Sequence, residues 1–221
     1  MALMKKEFWK YERDFEAAFT NLISISHEFD LVIFDLDHTL YNEHEYLHSA
    51  YKLFLAAEVA DINDLSSRLT FLMQRLAEHG KRKNLFQLYA RKYQSRLSLD
   101  FFLNTLRKNR VKKLNLFHGA EEALRAMSQN TTLSVLTNGN KAQQTNKMTL
   151  LKLNQLFRED LLHYASDSEP KPSPLGIHRI IHQCNKPKRV IMIGDSKEDR
   201  QASISAGISF INIDDICPKI K

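Results

Sequence analysis

The chain has 221 residues, 43% of them hydrophobic and 26% charged, which suits one substantial core, alone or with a small insertion, and excludes a disordered or fibrous polymer. No stretch approaches the roughly 20 apolar residues of a membrane span, and the opening MALMKKEFWKYERD is broken by charge too early for a secretory signal. Two distant cysteines, Cys184 and Cys217, make neither a disulfide framework nor a metal-ligand pattern, so a reducing, cytoplasmic setting is expected.

In chain order, residues 1–28 come first as an amphipathic helical extension. Phe8, Tyr11, Phe15, Ala18, Phe19 and Leu22 recur at three- and four-residue spacing, which predicts a helix packed on the core or a contact in a homodimer. Leu31 to Phe34 is the first short, β-branched apolar run, and Phe34-Asp35-Leu36-Asp37-His38-Thr39-Leu40 follows it directly. Residues two apart on an extended chain face the same side, so Asp35 and Asp37 can meet one ligand at the strand end. Two adjacent carboxylates repel unless a cation joins them or one holds a proton.

Residues 42–115 contain no convincing strand. They carry amphipathic stretches, including Leu65 to His79 and Leu85 to Leu97, and read as a helical insertion. This segment holds 14 Lys and Arg against 7 Asp and Glu, a net +7, and the rest of the chain is therefore −1 within the total of +6. Clusters at Lys81-Arg82-Lys83, Arg91-Lys92 and Arg107 to Lys113 mark either a solvated surface or a cationic lid that concentrates an anionic substrate. No nucleic-acid motif or aromatic–basic interleaving accompanies them, so no nucleic-acid partner is expected. Tyr41, Asn42, His44 and Tyr46 begin the segment and are candidate specificity residues by position, whereas His38 is expected to face away.

From Leu116 onward, apolar runs and helical stretches alternate. The runs are Leu133 to Leu136, a weaker one near Leu161 to Ala165, Val190 to Ile193, and Ile208 to Ile213. The helices are expected at Ala120 to Gln129, Lys141 to Lys152, Pro174 to Gln183 and Lys197 to Ala206, the last closed by Gly207. This alternation predicts a doubly wound parallel α/β sheet, 29–41 with 116–221, whose ligands gather at the strands' carboxyl ends. Polar clusters stand there: Thr137-Asn138-Gly139, with a hydroxyl, an amide and a turn; Lys171 between Pro170 and Pro172; and Gly194-Asp195-Ser196-Lys197-Glu198-Asp199, whose carboxylates are hard oxygen ligands of the kind Mg²⁺ takes. Each alone has a plain alternative, an Asn-Gly turn or a helix N-cap by Asp195. Their joint order does not.

These four motifs, D-L-D-H-T, T-N-G, K-P and G-D-S-K-E-D, resemble those of the haloacid dehalogenase-like superfamily over about Phe29 to Ile213. The resemblance implies an α/β core with a helical cap between the first and second motifs, and a phosphatase acting on a small phosphorylated metabolite. By it, Asp35 is the nucleophile and Asp37 the general acid and base. Thr137, Asn138 and Lys171 bind the phosphoryl group, Asn138 through its backbone N–H. Asp35, the Asp37 carbonyl and Asp195 hold Mg²⁺, with Asp199 either a further ligand or supporting the others from behind. A dehalogenase is disfavoured because Asp37 supplies a second acid. A phosphomutase keeps nearly the same residues, and a non-enzymatic phospho-receiver module is the alternative from another class.

Overall fold

The computed structural model describes residues 13–79, 84–109, 111, 114–164 and 169–218, with only the backbone for 77–79. Phe8, Tyr11, the Lys81-Arg82-Lys83 cluster, Arg110, Lys112, Lys113 and Ala165 lie outside the described residues. The chain divides into two compact units, one containing residues 44–112 and the other 12–43 with 113–221.

The second unit is built on five parallel strands: β1 (Leu31–Phe34), β2 (Thr132–Thr137), β3 (Leu162–Tyr164), β4 (Val190–Gly194) and β5 (Ser209–Asn212), in the spatial order β3-β2-β1-β4-β5. β1 is central: Leu31 is level with Thr132 on one side and Val190 on the other, and Phe34 with Val135 and Ile193. The three central strands are buried along nearly their whole length, whereas the edge strand β5 is mostly half-buried. This is why the runs at Leu31, Leu133 and Val190 read as largely apolar segments. All the strands point the same way, so the loops after β1, β2 and β4 emerge together.

Helices α1 (Phe15–Ser26), α6 (Ala120–Met127), α7 (Lys141–Leu150), α8 (Leu175–Gln183), α9 (Lys197–Ala206) and α10 (Ile213–Ile216) belong to this unit. On one face of the sheet, Ile177 and Ile180 of α8 and Ala202 of α9 pack with Leu31, Ile33, Leu136, Val190 and Met192. On the other, Leu22 of α1 and Met127 of α6 line a narrow apolar crevice with Val32, Ile191 and Ile193. Phe15, Ala18, Phe19 and Leu22, the periodic residues of α1, are all buried in the chain, and the Phe15 ring stacks on Phe117 at 3.7 Å. α1 is started by Asp14, whose carboxylate accepts from the Ala17 N–H. α9 ends on Gly207 in the left-handed conformation, φ 70°, a position that favours glycine.

The described elements of the other unit are all helices. α2 begins in the sheet unit at Glu43 and runs to Ala56; α3 (Ile62–His79), α4 (Leu85–Tyr93) and α5 (Leu99–Arg107) follow. Its core is aromatic: Phe54 contacts Phe86, Tyr89, Phe101 and Phe102 with ring centroids 5.0–6.2 Å apart. Glu58 lies between these helices, accepting from the Tyr89 hydroxyl at 2.6 Å and the Arg96 N–H at 2.9 Å. Arg68 lies 3.5 Å from the same carboxylate. The Tyr46 hydroxyl is spent internally on the Leu106 carbonyl at 2.6 Å, which gives this predicted specificity residue a structural task.

Candidate active site at the carboxyl ends of the sheet

Asp35 is the first residue past β1, and its N–H continues the ladder by donating to the Ile193 carbonyl of β4 at 2.8 Å. The backbone is thereby fixed where its carboxylate meets Lys171, from the segment after β3, and the acids after β4. Lys171 arrives from the loop before α8 and is 5% exposed. Its ammonium donates to Asp35 Oδ1 at 2.5 Å and to the Leu136 carbonyl at 2.9 Å, and lies 2.6 Å from Asp199 Oδ1. Burial works against the charge on Lys171, but Asp35 and Asp199 outweigh it and hold its pKa above the ordinary value.

The Lys171 loop is held by Asn138. The Asn138 side-chain amide donates to the Lys171 carbonyl and accepts from the Lys171 N–H, both at 2.9 Å, a reciprocal clasp between two chain segments 33 residues apart. The expected use of Asn138 was a backbone N–H; the structure adds this work for the side chain.

Asp35, Asp195 and Asp199 each bring a carboxylate oxygen within 4.8 Å of the others. Burial pushes the Asp35 carboxyl well above the usual carboxylate range, opposed by Lys171 and reinforced by Asp199, Asp195 and Asp37. Asp195 is pushed up to about 7, again by burial first and then by Asp199 and Asp214. Three clustered acids facing one ammonium leave an excess of negative charge, and oxygen-only donors are what a hard divalent cation takes. The donor set fits Mg²⁺.

Asp199 is turned toward the cluster by the start of α9. Ser196 is the N-cap, accepting from the Asp199 N–H at 3.1 Å while Asp199 Oδ2 accepts from the Ser196 N–H at 3.1 Å and its hydroxyl at 2.6 Å, a capping box. Capping therefore falls to Ser196 and Asp199, and the Asp195 carboxylate is left out of it. The carboxylate of Asp199 also lies close over Gly194: a Cβ there would stand 2.5 Å from Asp199 Oδ2.

Asp37 lies two residues on, in a tight turn where His38 adopts φ 61° and donates its N–H to the Tyr41 carbonyl. The His38 Nε2 is 3.7 Å from Glu43 Oε2. Asp37 Oδ1 accepts from the Tyr41 hydroxyl at 2.5 Å and from Lys147 Nζ at 2.7 Å, while Oδ2 accepts from Gln144 Nε2 at 2.8 Å. The same Gln144 amide lies 2.6 Å from the Thr137 hydroxyl. Lys147, Gln144 and Glu43 were not among the residues singled out from the sequence. The available signal was the three-residue spacing of Gln144 and Lys147, which puts both on one face of the helix that follows Thr137-Asn138-Gly139.

Known proteins agree with this architecture. A candidate β-phosphoglucomutase from Thermotoga maritima superposes with a TM-score of 0.65 at 20% identity, over 85% of this chain and 96% of that one. A candidate HAD-hydrolase from Bacillus subtilis, YfnB, solved with bound magnesium, gives 0.64 at 19%, over 82% and 85%. A candidate phosphoglycolate phosphatase from Lactobacillus plantarum gives 0.52 at 20%, over 82% and 84%. At these identities the likeness is one of fold. No curated protein sequence matches the chain, and no helix among the described residues is long and apolar enough to cross a membrane. The family model for haloacid dehalogenase-like hydrolases matches residues 32–213, an interval that contains all four motifs, and the chain belongs to that family.

Proposed function

We propose that the protein is a Mg²⁺-dependent phosphatase that hydrolyses a small phosphomonoester, a nucleotide or sugar phosphate, through a phosphorylated Asp35. The observation that carries this reading is the placement of one buried ammonium, Lys171, between Asp35 and Asp199 in a cluster of three carboxylates at the strand ends. In the first step an Asp35 oxygen bonds to phosphorus as the bond to the leaving oxygen breaks, and Asp37 gives that oxygen a proton. In the second, Asp37 takes a proton from water as the water oxygen bonds to phosphorus and the Asp35–phosphorus bond breaks. One difficult displacement becomes two.

Lys171 and the Thr137 hydroxyl bind phosphoryl oxygens, with the Asn138 N–H beside them and its side chain holding the lysine loop. The metal would be held by Asp35, the Asp37 carbonyl, Asp195 and Asp199, and when bound it supplies positive charge against the phosphoryl oxygens. A phosphomutase is the second reading, favoured by the likeness to the candidate β-phosphoglucomutase over 96% of that chain. It differs in that a second substrate replaces water.

Assays with 4-nitrophenyl phosphate and Mg²⁺ test the proposal. Phosphate release should fall to background in Asp35→Asn and on chelation. A folded protein that releases no phosphate, or is indifferent to both changes, overturns it. Interconversion of glucose phosphate isomers without net phosphate release would move the assignment to the mutase.

A further inference from the structure

Lys147 is fully buried, and lysine is almost never so unless paired. Its ammonium lies 2.7 Å from Asp37 Oδ1 and 2.6 Å from Glu43 Oε1, so one cation on α7 joins two carboxylates, one of them the acid assigned above. Stability alone does not call for this arrangement, because apolar groups of similar volume commonly replace a buried ion pair without loss. The arrangement is also asymmetric at Asp37. Oδ1 accepts from both Lys147 and Tyr41, whereas Oδ2 accepts only from Gln144 among these partners. Gln144 in turn approaches the Thr137 hydroxyl at 2.6 Å. By donating to Thr137 Oγ1 it occupies an acceptor site, while the hydroxyl itself donates to the Asn138 carbonyl at 3.3 Å.

We propose that Lys147, Glu43 and Gln144 position Asp37 for catalysis: Lys147, itself fixed by Glu43, anchors Oδ1, and Gln144 orients Oδ2 as the oxygen that exchanges the proton. This rests on the phosphatase reading. In the first step the proton leaves Oδ2 for the departing oxygen as the bond between that oxygen and phosphorus breaks. In the second it returns to Oδ2 from the attacking water. Lys147 and Glu43 are buried against Asp37 and each other, so both act through Asp37. Gln144 additionally ties the acid to Thr137, so that the proton donor and a phosphoryl-binding hydroxyl are set by one amide.

The experiment compares kcat/KM on aryl phosphates graded from 4-nitrophenyl, whose leaving group departs without a proton, to unsubstituted phenyl, whose leaving group needs one. This parameter reports the first transfer, where Asp37 acts as acid. In Lys147→Met, kcat/KM for phenyl phosphate should fall about 100-fold, as for loss of a general acid, and for 4-nitrophenyl phosphate by less than about tenfold. In an Asp37→Asn background the same substitution should add nothing on either substrate. Equal losses across the series, or full additivity with Asp37→Asn, would show a merely structural lysine and overturn the proposal. Should Lys147→Met fail to fold, Gln144→Leu carries the comparison: because it also releases Thr137 it should lower kcat/KM on both substrates, by the larger factor for phenyl phosphate. Asp37→Asn itself separates the two levels: if it leaves the leaving-group dependence unchanged, the acid assignment fails and the positioning proposal with it. If it steepens the dependence while Lys147→Met and Gln144→Leu do not, only the positioning proposal fails.

Discussion

The two units bury polar groups to different ends. At the carboxyl ends of the sheet, buried polar side chains are set against one another: Asp35, Asp195 and Asp199 crowd together, and burial drives the Asp35 and Asp195 carboxyls upward. In the helical unit the cluster around Glu58 is balanced. Glu58 meets Tyr89, Arg68 and the Arg96 N–H, and although burial alone would raise its carboxyl, these partners bring it below its ordinary value. A pair that lowers its own energy holds helices together; a cluster that raises it is kept where a ligand or a reaction relieves it. The sheet unit gathers electrostatic cost in one shared cluster, whereas in the helical unit it falls on single residues: burial raises the Glu45 carboxyl and, with Lys52, lowers the His48 imidazole.

The largest test of this contrast lies in the aromatic core. Phe54 is fully buried and contacts four other rings, so Phe54→Ala should cost about 3–5 kcal/mol, measured by denaturant unfolding. Hydrogen exchange should rise mainly in residues 44–109. Equal loss of protection in β1, β2 and β4 would mean that the two units unfold as one and that the distinction drawn between them is wrong.

Two glycines of the sheet unit sharpen the comparison at smaller cost, because the same substitution should act on function at one and on stability at the other. At Gly194 an added Cβ would stand 2.5 Å from Asp199 Oδ2, so Gly194→Ala must displace a carboxylate of the cluster. Mg²⁺ affinity, read by calorimetry, should drop about 10-fold or more, as when a group supporting a metal ligand is disturbed. At Gly207 nothing lies within 4 Å, but φ is +70°. Gly207→Ala should therefore cost about 1–2 kcal/mol through the left-handed backbone and leave Mg²⁺ binding as it was. If Gly194→Ala bound metal normally, the close seat of Asp199 would not matter to the cluster.

What could be read from the sequence follows the same division. Asp35, Thr137 and Asp195 were legible because each stands at or just past the end of a buried strand that the sequence shows as a mostly apolar run, whereas Lys171 stood out by the prolines on either side of it. β3 was faint because only three residues pair, at an edge. Lys147 was invisible for a physical reason: a lysine on a helix reads as solvated, and only the fold brings Asp37 and Glu43, more than 100 residues away, to its ammonium. The Asn138 clasp on Lys171 was hidden likewise, since an Asn-Gly pair reads first as a turn. In the helical segment the stretches Leu65 to His79 and Leu85 to Leu97 were found, but the second stops at Tyr93. Gln94 takes a left-handed conformation, φ 50°, and Ser98 then caps a new helix by accepting from the Phe101 N–H. Apolar spacing persists through that break, so periodicity alone ran past it.

The smallest expected effect tests the balanced side of the contrast. Glu58 has its carboxyl held below its ordinary 4.5 in the folded protein, burial opposing and Tyr89, Ser95, Arg96 and Arg68 prevailing. A depressed folded pKa gives stability that is present above the unfolded value and lost as pH falls through the folded one. Glu58→Gln should therefore be less stable than the parent at pH 7 by about 1 kcal/mol, since partial exposure screens the charge. The gap should close as the pH falls below about 4.5 and the parent's own carboxylate takes up its proton. Unfolding free energies of the two proteins across this range would show it. A gap that widened toward acid would reverse the sign assigned to Glu58 and make its cluster a strained one.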